Sequence, residues 1–269
     1  MRLDYAIDDI APYVNWIYFF HAWCTSGMPQ QDKDRLKAEA EERLQRVADR
    51  YQTHAVFRLF DACSHDDDIV VSAGSETVVI PLLRQQQQGS DCLCLADFVS
   101  PVPTERPTGR LGVFATTVDI GMETDFDADP YDKMMMQLLA DRLAEATAER
   151  LHEEVRKHYW GYAPDEQLTV SETLQEHYQG IRPAVGYPSL PDISLNFVFD
   201  QLLNFKQIGI RLTESGAMKP HASVSGLMLA HAEARYFTVG RIGEDQLTDY
   251  ARRRGVPVEL MRKFLGGNL

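Results

Sequence analysis

The chain has 269 residues, 44% of them hydrophobic and 25% charged, with a formal net charge of −13. That length and composition allow a full apolar core in one large domain or two small ones. The charge excludes a nucleic-acid surface, since Arg252-Arg253-Arg254 is too short a basic cluster to reverse it. No apolar run is long enough for a membrane span, and the first residues, MRLDYAIDDIAPY, lack the pattern of a signal peptide, so the chain reads as cytoplasmic with no membrane partner. Cys24, Cys63, Cys92 and Cys94 are too few for a disulfide framework, and Cys92-Leu93-Cys94 has no second pair or nearby His at zinc spacing. Alternation along a strand would put both of those thiols on one face, as for two core residues.

Residues 9 to 24 are dense in aromatics and compatible with a buried helix or an extended segment; Asn15 is the one strongly polar side chain between Tyr13 and Phe20. Leu36, Ala40, Leu44, Val47 and Tyr51 recur at helical spacing and predict an amphipathic helix over 32–51. The period then changes. Short β-rich runs at 54–60, 68–71, 77–80, 93–99 and 110–120 are separated by turn clusters such as Ser64-His65-Asp66-Asp67, which predicts an antiparallel sheet joined by hairpins. Gln85 to Gln88 reads as an exposed strand end or loop, and Pro101 to Pro107 as a loop.

The longest predicted helix runs from 129 to about 159, with Asp129 as N-cap and Pro130 in the first helical position. Met136, Leu139, Leu143, Thr147 and Leu151 form its main stripe. Met134, Leu138, Ala148 and His152 lie nearly opposite, so both sides of its first half are expected to be covered. Glu145 falls off the main stripe, beside Leu138 and Asp141, and is either solvated or aimed at a partner. Further helices are expected over 170–178, 195–205 and 245–264, the last broken at Gly255. Further strands are expected over 208–212, 223–229 and 235–242, with His221 and His231 in strand-like surroundings. Sheet elements on both sides of the long helix, with no repeat and no linker, predict a single α+β domain: a twisted antiparallel sheet with helices packed around it.

The stretch Gly180-Ile181-Arg182-Pro183-Ala184-Val185-Gly186-Tyr187-Pro188 carries the chemistry. Two prolines forbid a helix through it, and two glycines allow positive φ or close approach. A stiff loop offering one guanidinium and one phenol suits a small anion or zwitterion, because Arg reads a carboxylate with two parallel hydrogen bonds. A surface turn whose Arg pairs with a neighbouring acid is the plainer alternative. No G-x-S-x-G, Walker loop, H-E-x-x-H or G-x-G-x-x-G signature is present, so binding is indicated without an evident nucleophile.

The segments APYVNWIYFFHAW (11–23), LADFVSP (95–101), ADRLAEATAERLHEEVRKHYWGYAPDE (140–166), YQGIRPAVGYPSLP (178–191), LTESGAM (212–218), ASVSG (222–226), ARYFTVGRIG (234–243) and DQLTDYARRRG (245–255) resemble, in order, the C-terminal activation domain of cobalamin-dependent methionine synthase. The resemblance covers nearly the whole chain, and Arg-x-x-x-Gly-Tyr in GIRPAVGY is the most characteristic part. It implies one activation-like domain over 1–269, with a helical entry segment at 1–52 and an α+β core at 53–269.

The resemblance also implies S-adenosyl-L-methionine as bound methyl donor, cobalamin supplied by the cobalamin-binding module of a separate methionine synthase chain, and an electron donor such as flavodoxin. After reduction of accidentally oxidised cobalamin, methyl transfer would restore methylcobalamin; the chain would be a component of that methyltransferase rather than a complete enzyme. By position, Arg182 would take the methionyl carboxylate, and Ala184, Gly186 and Tyr187 would complete the loop. Glu145 and Glu176 match acidic site residues, and Tyr236-Phe237 match a pair at the adenosine end. Asn15 stands where the family commonly has Asp, which keeps hydrogen bonding but loses a charge. Gly216 and Lys219 replace aromatics in a loop that faces the cobalamin module. A docking or S-adenosylmethionine-sensing module without methyl transfer, and a reactivator of another corrinoid methyltransferase, remain the alternatives.

Overall fold

The computed structural model describes residues 1–269 except Cys24, Gln88 and Ser90. In chain order the strands are β1 (Arg2–Ala6), β2 (Gln52–His65), β3 (Asp68–Ala73), β4 (Glu76–Pro81), β5 (Arg110–Val118), β6 (Arg211–Leu212), β7 (Met218–Lys219) and β8 (Ser223–Met228). The α-helices are α1 (Ile7–Ile10), α2 (Trp16–Ala22), α3 (Gln30–Val47), α4 (Gly121–Thr124), α5 (Pro130–Glu154), α6 (Val170–Leu174), α7 (Leu195–Leu203), α8 (Glu244–Arg254) and α9 (Val258–Phe264). Among the described residues the main sheet runs β4-β3-β2-β5-β8, every pair antiparallel. β1 pairs with the first half of β2 on the edge that β3 occupies further along. The α+β architecture expected from the sequence is therefore present.

Strand alternation splits the sheet into two apolar faces. Phe57, Phe114, Val224 and Met228 pack with α5 on one side, while Val56, Val113, Ala115 and Leu227 pack with α7 on the other. Helix α5 begins as its sequence dictates: Asp129 accepts hydrogen bonds from the backbone N–H groups of Tyr131 and Asp132, and Pro130 fills the first position. The stripe Met136, Leu139, Leu143, Thr147 and Leu151 is buried. Coverage of the opposite side comes in the second half, at Ala148 and His152, and not in the first, where Met134 is 46% exposed. One turn of π-helix, Val155–Tyr159, carries the axis to the length expected.

Several sequence expectations fail, each for a local reason. The entry segment opens with strand β1, so it is not helical throughout. Residues 95–98 form a 3₁₀ turn, in which Asp97 accepts from the Cys94 N–H; Cys92, at φ +52°, is exposed while Cys94 is buried, so the two thiols do not share a strand face. Burial pushes the Cys94 thiol up to about 12. Cys24 lies outside the described residues, as does Gln88; Gln85 and Gln86 sit in a loop and anchor Thr238 and Gly243. Residues 235–242 make no strand, because Val239 and Ile242 donate to Pro188 and Asn268, in two unrelated segments. Residues 208–212 contribute only β6, the remainder closing a 3₁₀ turn at Gly209. The helix expected over 170–178 stops at Leu174, since Glu176 adopts φ +59°. His221 is exposed, 3.4 Å from Asp141, rather than in the core. Arg253 and Arg254 turn inward to Asp68 and Asp192, which gives that basic cluster a structural role.

Candidate functional site

The sheet's far edge builds the site. Residues 181–185 run alongside β8 as an added strand-like rung: Ile181 and Leu229 exchange both backbone bonds at 3.0 Å, Leu227 N–H donates to Pro183 O at 3.0 Å, and Val185 N–H donates to Ser225 O at 2.9 Å. The rung lies so close that β8 must carry glycine opposite it. A Cβ on Gly226 would stand 2.9 Å from both Ala184 Cα and Phe114 Cε1, and nearer still to Pro183 O. Gly180 and Gly186, at φ +86° and +88°, turn the chain into and out of the rung, as the glycine placement predicts.

The rung faces helix α5 across a cleft of about 400 Å³, within the range of small-molecule sites. Arg142, Glu145, Ala146 and Glu149 supply the helical wall, their spacing placing all four on one face. Arg182, Ala184 and Tyr187 supply the rung's wall, Tyr13, Asn15 and Tyr18 one end, and Glu176 with Tyr236 and Phe237 the other side. Of the nine residues singled out from the sequence, eight line this cleft; Gly186 does not, and acts through the turn it permits.

Arg182 is 7% exposed, and its Nη2 donates to Glu149 Oε1 at 2.5 Å. Its guanidinium lies 5.6 Å from the Phe114 ring centroid. Burial works to lower the pKa of this guanidinium, but Glu149, together with Tyr236, Tyr178 and Glu145, outweighs it and holds the group firmly charged. The backbone N–H of Arg182 donates to the Tyr236 hydroxyl at 2.9 Å, which ties the rung to the 236–237 segment. Tyr187 donates to Glu145 across the cleft while keeping 49% of its surface exposed. Asn15 caps α2, its Oδ1 accepting from Ile17 N–H at 3.1 Å, and is half-buried at the cleft's end. Desolvation raises the Glu176 carboxyl, and repulsion from Glu149 adds to the shift against attraction by Arg182.

Gly216, at φ +80°, and Lys219 belong to the β6–β7 hairpin and are not among the residues lining the cleft.

Two buried atoms in the wall, Arg182 Nε and Glu149 Oε2, have no hydrogen-bond partner. Buried polar atoms of this kind are normally satisfied. With three carboxylates, two guanidiniums and aromatic sides, this unused capacity fits a ligand that joins a carboxylate, cationic centres and a flat ring system.

The residues match the family profile described as "Vitamin B12 dependent methionine synthase, activation domain" over 6–255. The chain belongs to that activation-domain family. A crystal structure described as the MetH reactivation domain bound to AdoHcy superposes with a TM-score of 0.90 at 37% sequence identity, covering 100% of this chain and 90% of that one. In this activation domain, sequence reasoning missed Glu149, the partner of the central arginine. Its face was readable, since Glu149 follows Glu145 by four residues on α5, but its pairing with Arg182 was not. Arg142 and the tyrosines at 13 and 18 were missed as well. Among the described residues no helix is long and apolar enough to cross a membrane.

Proposed function

We propose that this cytoplasmic activation domain binds S-adenosylmethionine in the cleft and presents its methyl group to cobalamin held on the module of a separate methionine synthase chain. The observation that carries this reading is buried Arg182, charged and held between α5 and the rung, with carboxylates and aromatic rings around it. S-adenosylmethionine supplies an activated methyl group and reduced cobalamin the nucleophile, so neither a base nor a nucleophile is asked of this chain. Reduction is assigned to an external donor such as flavodoxin.

What the chain contributes is binding and orientation. Arg182 takes the ligand's carboxylate through charge-assisted hydrogen bonds. Glu145 and Glu176 favour its cationic centres electrostatically. Tyr236 and Phe237 offer ring faces for the adenosine end. Ala184 and Tyr187 shape the wall, Gly186 sets the turn that places Tyr187, and Asn15 offers a neutral polar contact at the cleft's end.

Calorimetry with S-adenosylmethionine tests the binding step. The wild-type chain is expected to bind, and Arg182→Ala to lose about 1.5–3 kcal/mol, roughly ten- to a hundredfold. Absence of binding by the wild type would overturn the reading. Transfer is then tested with radiolabelled S-adenosylmethionine and a methionine synthase lacking its own activation domain, under reducing conditions. Label should reach cobalamin only when this chain is added. A second reading, sensing without transfer, is favoured by Asn15, which lacks the carboxylate common in the family; binding with no label transferred would select it.

A further inference from the structure

Arg182 is not a free cation waiting for an anion. Its guanidinium is already matched by Glu149 at 2.5 Å, with the arginine side chain 6% and the glutamate side chain 19% exposed. A buried arginine neutralised in this way gains little from a simple anion, because the incoming carboxylate finds a pair of zero net charge. Glu176 stands close enough to repel Glu149 electrostatically and to be drawn by Arg182. Adding a ligand carboxylate to Arg182 therefore leaves an excess of negative charge on this side of the cleft. A cation delivered with the carboxylate removes that excess.

Resting on the S-adenosylmethionine reading, we propose that Glu149 is the residue that makes the site select an α-amino acid zwitterion over a plain carboxylate. In the ligand-free cleft it compensates Arg182. In the complex it shares that arginine with the ligand's carboxylate and, with Glu176, answers the ligand's ammonium group. The unpartnered Oε2 of Glu149 and Nε of Arg182 mark the hydrogen-bonding capacity left on each member of the pair. Glu145, four residues earlier, is engaged by the Tyr187 hydroxyl and so is a poorer candidate for this task. Arg142 lines the same wall, and its two-charge balance with Arg182 against three carboxylates leaves the cleft suited to a ligand of net positive charge.

The test uses S-adenosylhomocysteine and two analogues, one lacking the amino group and one lacking the carboxylate, titrated calorimetrically into the wild-type chain and Glu149→Gln. The thioether series keeps the sulfonium charge out of the comparison. Wild type should bind S-adenosylhomocysteine and lose on the order of tenfold or more when either group is removed. Glu149→Gln should weaken S-adenosylhomocysteine by about tenfold, while the deamino analogue binds at least as well as to the wild type, because the guanidinium is no longer neutralised. Equal weakening of all three ligands, or an unchanged preference for the zwitterion, overturns the proposal. Should Glu149→Gln fail to fold, Glu149→Asp gives the same comparison, with the preference expected to shrink. No binding of S-adenosylhomocysteine or S-adenosylmethionine to the wild type would instead defeat the functional reading beneath it.

Discussion

Replacing Gly226 by alanine probes the link between sheet and site most directly. The residue lies opposite the rung, and an added Cβ meets Ala184 Cα and Phe114 Cε1 at 2.9 Å, with the Pro183 carbonyl oxygen closer still. None of these is the far end of a flexible side chain: two belong to backbone, and the third to a ring buried in the core. The rung must therefore move outward by about 1 Å, an overpacking cost of roughly 2–3 kcal/mol. That movement strains two specific hydrogen bonds, Leu227 N–H to Pro183 O and Val185 N–H to Ser225 O. For a chain of this size the melting temperature should fall by about 5–10 °C. Arg182 precedes Pro183, so its guanidinium shifts against Glu149, and S-adenosylmethionine affinity should fall by about tenfold or more even where the protein remains folded. Thermal unfolding followed by circular dichroism, with calorimetric titration below the transition, reads both effects. A variant with wild-type melting temperature and wild-type affinity would show that the rung does not position the arginine.

Other expectations follow from the same cleft. Asn15→Asp keeps the cap on α2 and adds a negative charge at its N-terminus, so it should raise stability by about 0.3–1 kcal/mol; it should also strengthen binding of the positively charged S-adenosylmethionine more than of neutral S-adenosylhomocysteine, as paired titrations would show. Glu176 has its carboxyl pKa raised on folding, by desolvation first and then by Glu149. The folded state thus holds this proton more tightly than the unfolded state, and the group's penalty is absent in acid and grows as pH rises through and above the unfolded value of 4.5. Glu176→Gln should therefore unfold at a higher temperature than wild type at pH 7 and converge with it near pH 4; a constant difference across that range would contradict the assignment.

Much of this arrangement was legible in the residues. Asp129-Pro130 fixed the start of α5 because a cap and a proline leave one reading, and the buried stripe from Met136 to Leu151 has an unambiguous period. The rung was legible as stiff and non-helical, since Pro183 and Pro188 constrain it wherever it lies. That it would be bonded to β8 was not legible, because the partner lies more than forty residues away and its signal is the empty space at Gly226. Leu93–Val99 and Arg235–Ile242 have strand-like composition, but a strand exists only when a neighbour presents a free edge. For the second of these, Val239 and Ile242 are buried by α8 and α9 without any ladder. Glu145 could be placed on a face of α5 from its angle alone. Glu149 escaped notice because a carboxylate amid Glu, Arg and Glu on a helix ordinarily reads as solvated, and only its encounter with Arg182, thirty-three positions further on, distinguishes it.

The attachment of the rung to β8 runs through main-chain groups at Ile181, Pro183 and Val185. Such a mount is indifferent to most side chains it carries. Pro188 and Ser189, which line the cleft just beyond the rung, can therefore be exchanged in a library while the arginine's anchorage is kept, which makes this edge a natural place to redesign ligand preference without rebuilding the protein around it.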